Sequence, residues 1–363
     1  MTRAESIHHS ALRLPHLLKT VTEKDKSTCE RLAALVRAYA GRRVVVVGDA
    51  VADQFVSCEI SRVSREAPVM IMRHERTETV PGGAANCAMN LASLGARASL
   101  VCALGEDAPG RELLSRLEAA GVETGAVYVS ARLRTTTKVR FLGGLAHSPR
   151  QQVVRVDYEN GRLSQGAAER VESEVNARLR AVCVDAEAVV VSDYNYGVTE
   201  GRVLEVIRGE LNDGVKPLLV DSRFRLDAFR GFTSATPNED EVEQWAGRPL
   251  KEAASLTEEA GRLRATLDLR ALLVTRGKKG ALLVEEGKEP LSIDAVGSHD
   301  AVDVTGAGDT VMAAYSLALA SGASFEDAAR LANHAGGLVV LKRGTATVTA
   351  EELLGSLARE AES

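Results

Sequence analysis

From Val44 onward, short apolar runs alternate with stretches whose apolar positions recur every three or four residues. The runs VVVVGD (44–49), ASLVCALG (98–105), AEAVVVSDY (186–194), KPLLVDSR (216–223) and RALLVTRG (270–277) are almost continuously hydrophobic and end in small or polar residues. Strands of that kind are buried on both faces, as in a parallel sheet. Between them, AANCAMNLASLG (84–95), APGRELLSRLEAAG (108–121) and GAAERVESEVNARLRAV (166–182) carry the helical period. The alternation predicts an α/β chain with a mostly parallel central sheet covered by helices on both faces. Ligands of such sheets gather at the carboxyl ends of the strands, so the polar tails of the runs are where chemistry is expected.

Two regions break this rhythm. Residues 53–80 and 135–159 alternate like strands and lack a helical period, which predicts a small extra sheet attached to the main domain. Residues 1–41 read as an N-terminal extension with one amphipathic helix. There CERLAALVRAYAGRR sets Leu32, Leu35 and Val36 on a single face, and Gly41 is a plausible stop. No linker separates a second domain.

Composition narrows the function. Against 45 Lys+Arg stand 50 Asp+Glu, a net charge of −5, which argues against a nucleic-acid binder. The five cysteines are scattered and form no CxxC pair, so they read as reduced, buried thiols of a cytoplasmic protein. No apolar run is long enough to span a bilayer, and the first residues lack the apolar core of a signal peptide.

The candidate chemistry begins with DVTGAGDT (303–310). A helix start exposes unpaired amides and favours anions. Gly306, Ala307 and Gly308 would let that backbone approach a phosphate, and Asp309 follows in the first turn. Its carboxylate suits the helix dipole; it could equally take a proton from an attacking hydroxyl. A second glycine pair opens the helix in PGGAANCAMNLASLG (81–95), and GDAVAD places Asp49 and Asp53 after the first strand. Two carboxylates there could hold vicinal hydroxyls of a sugar or simply form a solvated turn with an N-cap.

GGAANCA followed by Gly95 and Gly105, together with DVTGAGDTVMAAYS, resembles the two signatures of the pfkB (ribokinase-like) carbohydrate kinase family. Both occur in order, and the similarity runs from about residue 42 to 355. The resemblance implies a ribokinase-like three-layer α/β/α sandwich over residues 42–363, with a β-sheet lid from segments about 53–80 and 134–160. It implies ATP and Mg²⁺ as reaction partners and a homodimer formed through the lid. Asp309 is then the catalytic base, and Gly306, Ala307 and Gly308 form the anion hole. Asp49, Asp53, Gly82, Gly83, Asn86 and Asp193 contact the acceptor. Asn238 and Glu241 of TPNEDE place Mg²⁺ through its waters. Asn238, Thr275, Gly277 and Gly280 contact the nucleotide, and Asn333 flanks the adenine. Asp303, with the loop around Gly344, matches a monovalent-cation position, K⁺ for example.

Within the family, GDAVADQF, SRVSREAPV, PGGAANCAMNLASLGA, TTTKVR, QQVVRVDYE, SDYNYG and GTATVTAEEL are similar to the branch that phosphorylates the anomeric hydroxyl of D-glycero-β-D-manno-heptose 7-phosphate. Relative to the bifunctional members of that branch, the chain is expected to lack the nucleotidyltransferase half. Lys138, Arg140 and Arg155, with Arg62, Arg65 and Arg150, could clamp the acceptor's phosphate, though each alone reads as surface charge. Two departures stand out: Tyr196 occupies a lysine position of that branch, and Ser222, Arg223 and Phe224 replace Pro-Lys-Gly. They leave an unphosphorylated sugar, a sugar acid or a nucleoside open as acceptor. A non-catalytic nucleotide- or sugar-binding regulator is the remaining class. A dinucleotide-dependent oxidoreductase is excluded, because no G-x-G-x-x-G follows a strand with an acidic residue about twenty positions on.

Overall fold

Alternate valines of the strand Arg43–Gly48 settle into different cores: Val44 and Val46 in one, Val45 and Val47 in the other. That is the period of two of a strand buried on both sides. The computed structural model describes residues 23–362, apart from 146–147, 149, 161–162, 212–213, 251 and 298–300.

The central sheet has eight strands, in the order Leu291–Ile293, Ala281–Glu285, Ala271–Thr275, Ser234–Ala235, Leu218–Ser222, Ala188–Asp193, Arg43–Gly48 and Arg97–Val101. Pairing is parallel from Ala271–Thr275 to Arg97–Val101, and the other two strands close that edge in antiparallel fashion. One face is covered by Ala84–Ser93, Ala307–Ala320, Phe325–Val339 and Ala350–Glu362. The opposite face carries Gln165–Cys183, Gly201–Val206, Glu239–Ala246 and Ala253–Thr266. The chain is therefore a ribokinase-like α/β/α sandwich. From Arg43–Gly48 it winds first to one neighbour, Arg97–Val101, and later to the other, Ala188–Asp193. That reversal opens a crevice at the carboxyl ends of Arg43–Gly48 and Ala188–Asp193.

The two non-helical regions form a separate four-stranded sheet, ordered Met70–Gly83, Ala50–Val63, Thr137–Gly144 and Gln151–Tyr158. Its two faces differ in chemistry. Asp53 pairs with Lys138 and Phe55 with Arg140; Lys138 pairs with Asp157 and Arg140 with Arg155, so one face is charged. The alternate positions, Val56, Val139, Phe141, Val154 and Val156, make the other face apolar. Val153, Val154 and Val156 remain exposed there.

The helix Glu23–Arg37 lies against Ala350–Glu362. Leu32, Val36 and Tyr39 are buried in the same core as Leu353 and Leu357. Leu35 packs at its margin. Residues 1–22, the polar start of the extension, lie outside the described residues. All five cysteines are buried, and no disulfide joins them. Because Leu32 is 1% exposed, Leu32→Ala should lower the unfolding free energy by about 2–5 kcal/mol. Urea denaturation measures this; a loss below about 1 kcal/mol would mean that the helix is not part of the core.

Candidate active site

The crevice is organised by Asp49, which directly follows the first strand and is buried. Its Oδ2 accepts from the amides of Tyr194 (2.9 Å) and Tyr196 (3.0 Å), and its Oδ1 from Val198 N (3.1 Å). Burial pushes its carboxyl up to about 6, against the opposing pull of these amides. The held loop contains two left-handed residues, Asn195 (φ 64°) and Gly197 (φ 101°). Asp49 thus shapes backbone, and Asp53 stands apart from it. Asp53 Oδ1 receives Arg140 Nη1 at 2.5 Å, while its Oδ2 lies where a Cβ at Gly82 would sit (2.4 Å).

Asp309 occupies the first turn of Ala307–Ala320 and is 4% exposed. Both of its oxygens are held: Asn86 Nδ2 donates to Oδ2 (2.8 Å) and the Tyr194 hydroxyl to Oδ1 (2.9 Å). Burial pushes its carboxyl up to about 6, and these two donors pull the other way. Asn86 is itself fixed by Asn90, whose Oδ1 accepts from the Thr310 hydroxyl at 3.1 Å. Gly306 begins the turn at φ 76°, and a Cβ there would stand 2.5 Å from Asn86 Nδ2. Glycine is required for both reasons. The Ala307 amide donates to Val304 O (3.2 Å), while among the described residues the Gly306 and Gly308 amides donate to no carbonyl. The open donors of the turn therefore include those of its two glycines.

Two cavities meet at this turn. One, of about 200 Å³, is a mostly apolar slot lined by Thr275, Gly277, Gly280, Val296, Gly308 and Asn333, among others. It brings together the nucleotide residues expected from the sequence, except Asn238. Asn333 spends its amide on Asp294 O (2.7 Å), fixing one wall. The other cavity, of about 290 Å³, is lined by Asp193, Tyr194, Asp221, Arg223, Thr236, Asn238, Glu241 and Gly308. Asn238 and Glu241 form a capping box, with Glu241 N donating to Asn238 Oδ1 and Asn238 N to Glu241 Oε2, each at 2.9 Å. That contact leaves Glu241 a second oxygen.

Asp193 is buried and saturated, taking Thr199 (2.7 Å), Ser222 (2.6 Å) and Arg225 (2.6 Å). Asp221 receives no such support among the described residues. Burial first, then Glu241, Asp309 and Asp193, drive its carboxyl well above the usual range. Burial also raises Glu241. Two carboxylates at elevated pKa, beside a buried Thr236 hydroxyl without a partner, fit a hard, oxygen-seeking divalent cation with its waters. Asp303 lies on another loop, where Oδ1 accepts Thr305 N (2.9 Å) and Oδ2 accepts Gly344 N (3.0 Å). The adjacent Thr345 hydroxyl is buried and unpartnered, which fits a monovalent cation at that loop.

The six cations separate. Lys138 Nζ stands over the rings of Tyr194 (5.7 Å) and Tyr196 (5.5 Å), and burial holds its ammonium below the usual value. Arg140 pairs with Asp53, Arg155 with Asp157 and Arg150 with Glu75. Arg62 lies toward the opposite end of the lid hairpin from Gly83, and Arg65 follows that strand; both are exposed. Sequence reasoning passed over Tyr194, Asp221 and Thr236. Their only signal was position at or just after strand tails.

Asp49→Asn would turn an amide donor toward at least one of the backbone N–H groups that Asp49 now accepts. The expected cost is about 1–3 kcal/mol in chemical denaturation, with faster hydrogen exchange at 194–198. Wild-type exchange in that loop would show that Asp49 does not hold it.

Comparison with known proteins gives the family and the fold. The model of the pfkB family of carbohydrate kinases matches residues 42–352. A bifunctional protein HldE from Caulobacter sp. (strain K31) is 40% identical over 328 residues, 90% of this chain but only 65% of that protein. The D-beta-D-heptose 7-phosphate kinase of Bordetella bronchiseptica is 40% identical over 318 residues, 87% of this chain and 96% of that one. Among solved structures, Arabidopsis thaliana ribokinase complexed with ribose and ATP superposes with a TM-score of 0.66 at 22% identity, covering 87% of this chain and 99% of the other. The chain belongs to the pfkB family of carbohydrate kinases.

Proposed function

We propose that this chain is an ATP-dependent kinase that phosphorylates the anomeric hydroxyl of D-glycero-β-D-manno-heptose 7-phosphate. One observation carries the reading. Asp309 is held by two donors between a charged lid face and a helix start whose glycine amides are open. The Bordetella relative named for this acceptor matches along 96% of its length, which supports the choice of sugar.

The roles follow from placement. The apolar slot takes the adenine, with Thr275, Gly277, Gly280 and Asn333 along it. The γ-phosphate then reaches the 306–308 turn, and the acceptor lies between that turn and the lid, against Asp53, Gly82, Gly83 and Asn86. Asp309 accepts the proton of the attacking hydroxyl as the new O–P bond forms, and the bond to the bridging oxygen breaks with its electrons leaving on ADP. Asn238 and Glu241, with Asp221 beside them, would hold Mg²⁺, which would supply neutralisation of charge on the phosphate oxygens. K⁺ at the Asp303 loop would stiffen the segment leading into the turn. Arg140, Arg155 and Lys138 supply positive charge on the lid, and the protein works in the cytoplasm. No helix among the described residues is long and apolar enough to cross a membrane.

An unphosphorylated acceptor is the second reading, favoured by one feature. Arg140, Arg150 and Arg155 are each neutralised by a carboxylate of the lid itself. The lid's apolar face suits a second copy of this chain: it exposes Val153, Val154 and Val156 above a cavity of about 590 Å³. Sedimentation should give a dimer, and Val154→Asp a monomer; a wild-type monomer at micromolar concentration would exclude the lid interface.

ADP release with Mg²⁺-ATP tests the reaction. Turnover should be strongest with the heptose 7-phosphate. Asp309→Asn should keep ATP binding and lose about 10²–10⁴-fold in kcat. The base acts as carboxylate, so kcat/KM should fall as pH drops through about 6. Turnover of a neutral sugar alone would replace the acceptor, and an active Asp309→Asn would remove the base.

A further inference from the structure

Tyr194 lies in SDYNYG, and its side chain touches three parts of the site. Its hydroxyl donates to Asp309 Oδ1 at 2.9 Å. Its ring lies 3.3 Å from where a Cβ at Gly83 would stand, so that glycine makes room for it. Above the ring, 5.7 Å from its centre, stands the lid cation Lys138. The backbone beneath it is held by Asp49.

We propose that Tyr194 is a positioning residue: its phenol fixes one oxygen of Asp309 while Asn86 fixes the other, so that the remaining lone pairs face the acceptor hydroxyl in a single orientation. This inference rests on the kinase reading above. A carboxylate without such contacts rotates freely about its last bond; one held at both oxygens does not. The phenol also serves as a constant donor. Burial, Asp309 and Asp221 push its own ionisation well above the usual range, so it keeps its proton wherever the enzyme works. Lys138 over the π face adds positive potential to the ring and polarises the O–H toward Asp309. Because Lys138 is carried by the lid strand Thr137–Gly144, the strength of this hydrogen bond depends on the lid being in place.

The charged and titratable groups around Asp309 come from every neighbouring element. Asp53 and Lys138 come from the lid, Cys87 from Ala84–Ser93, and Asp221 from Leu218–Ser222. Asp53 disfavours the carboxylate, and Lys138 and Tyr194 favour it. Deleting only the hydroxyl therefore has a defined sign: the base should become harder to deprotonate.

Tyr194→Phe keeps the ring and removes the donor. We expect kcat to fall about tenfold, the magnitude of one charge-assisted hydrogen bond, with the KM for ATP unchanged. The acid limb of kcat/KM should move upward by about half a pH unit or more. Carbon-13 NMR of labelled aspartate, assigned with Asp309→Asn, should show the same upward shift in the carboxyl itself. 3-Fluorotyrosine at position 194, a sharper donor of nearly the same shape, should shift it down and covers the case in which Tyr194→Phe does not fold. A merely structural role would lower stability without moving either midpoint, and unmoved midpoints would overturn the proposal. A wild-type chain that turns over no sugar would instead remove the kinase reading, while the carbon-13 titration would still report the contact.

Discussion

A buried carboxylate that finds its partners in backbone amides sets the geometry of this site. Asp49 would be costly at the end of the first strand if left alone. Three amides of the 194–198 loop compensate it. The loop is thereby pinned across the crevice, and its first residue, Tyr194, reaches Asp309. Asn86 reaches Asp309 from the opposite side, from a helix that starts at Gly83. Asp309 is thus placed by segments far apart in the chain, each held by hydrogen bonds rather than by packing alone.

The same principle divides the acidic residues of the crevice into two kinds. Asp193 is fully compensated by Thr199, Ser222 and Arg225, so it ties strand tails together and has little capacity left for a ligand. Asp221 and Glu241 are under-compensated and face a shared cavity. Like charges held close disfavour ionisation until a cation arrives. Metal and nucleotide phosphates entering together would satisfy both the carboxylates and the open glycine amides of the 306–308 turn. Phosphoryl transfer asks a protein mainly for placement and charge neutralisation.

The small sheet has two faces of different chemistry. Because a strand alternates its side chains, charged residues stand on one face and apolar ones on the other. Lys138 belongs to the first set and Val139, next to it, to the second. Tyr196 meets an ammonium here, because Lys138 lies over its ring.

Much of the fold and part of the site could be read from the chain alone. Continuous valine runs announce a doubly covered sheet, the non-helical segments announce the small second sheet, and DVTGAGDT announces a helix start opened by glycine. These signals are local: they depend on period, propensity and glycine within a few residues. What tertiary structure alone decided is which polar groups satisfy one another. Nothing in GDAVAD distinguishes Asp49, consumed by a loop about 145 residues away, from Asp53, which meets a lid arginine. Nothing in SDYNYG marks the first tyrosine as the partner of Asp309. Nor does NEDE reveal that its asparagine and second glutamate first cap a helix. Hydrogen-bond satisfaction of buried groups is a property of contacts between distant segments, and only the folded chain assigns it.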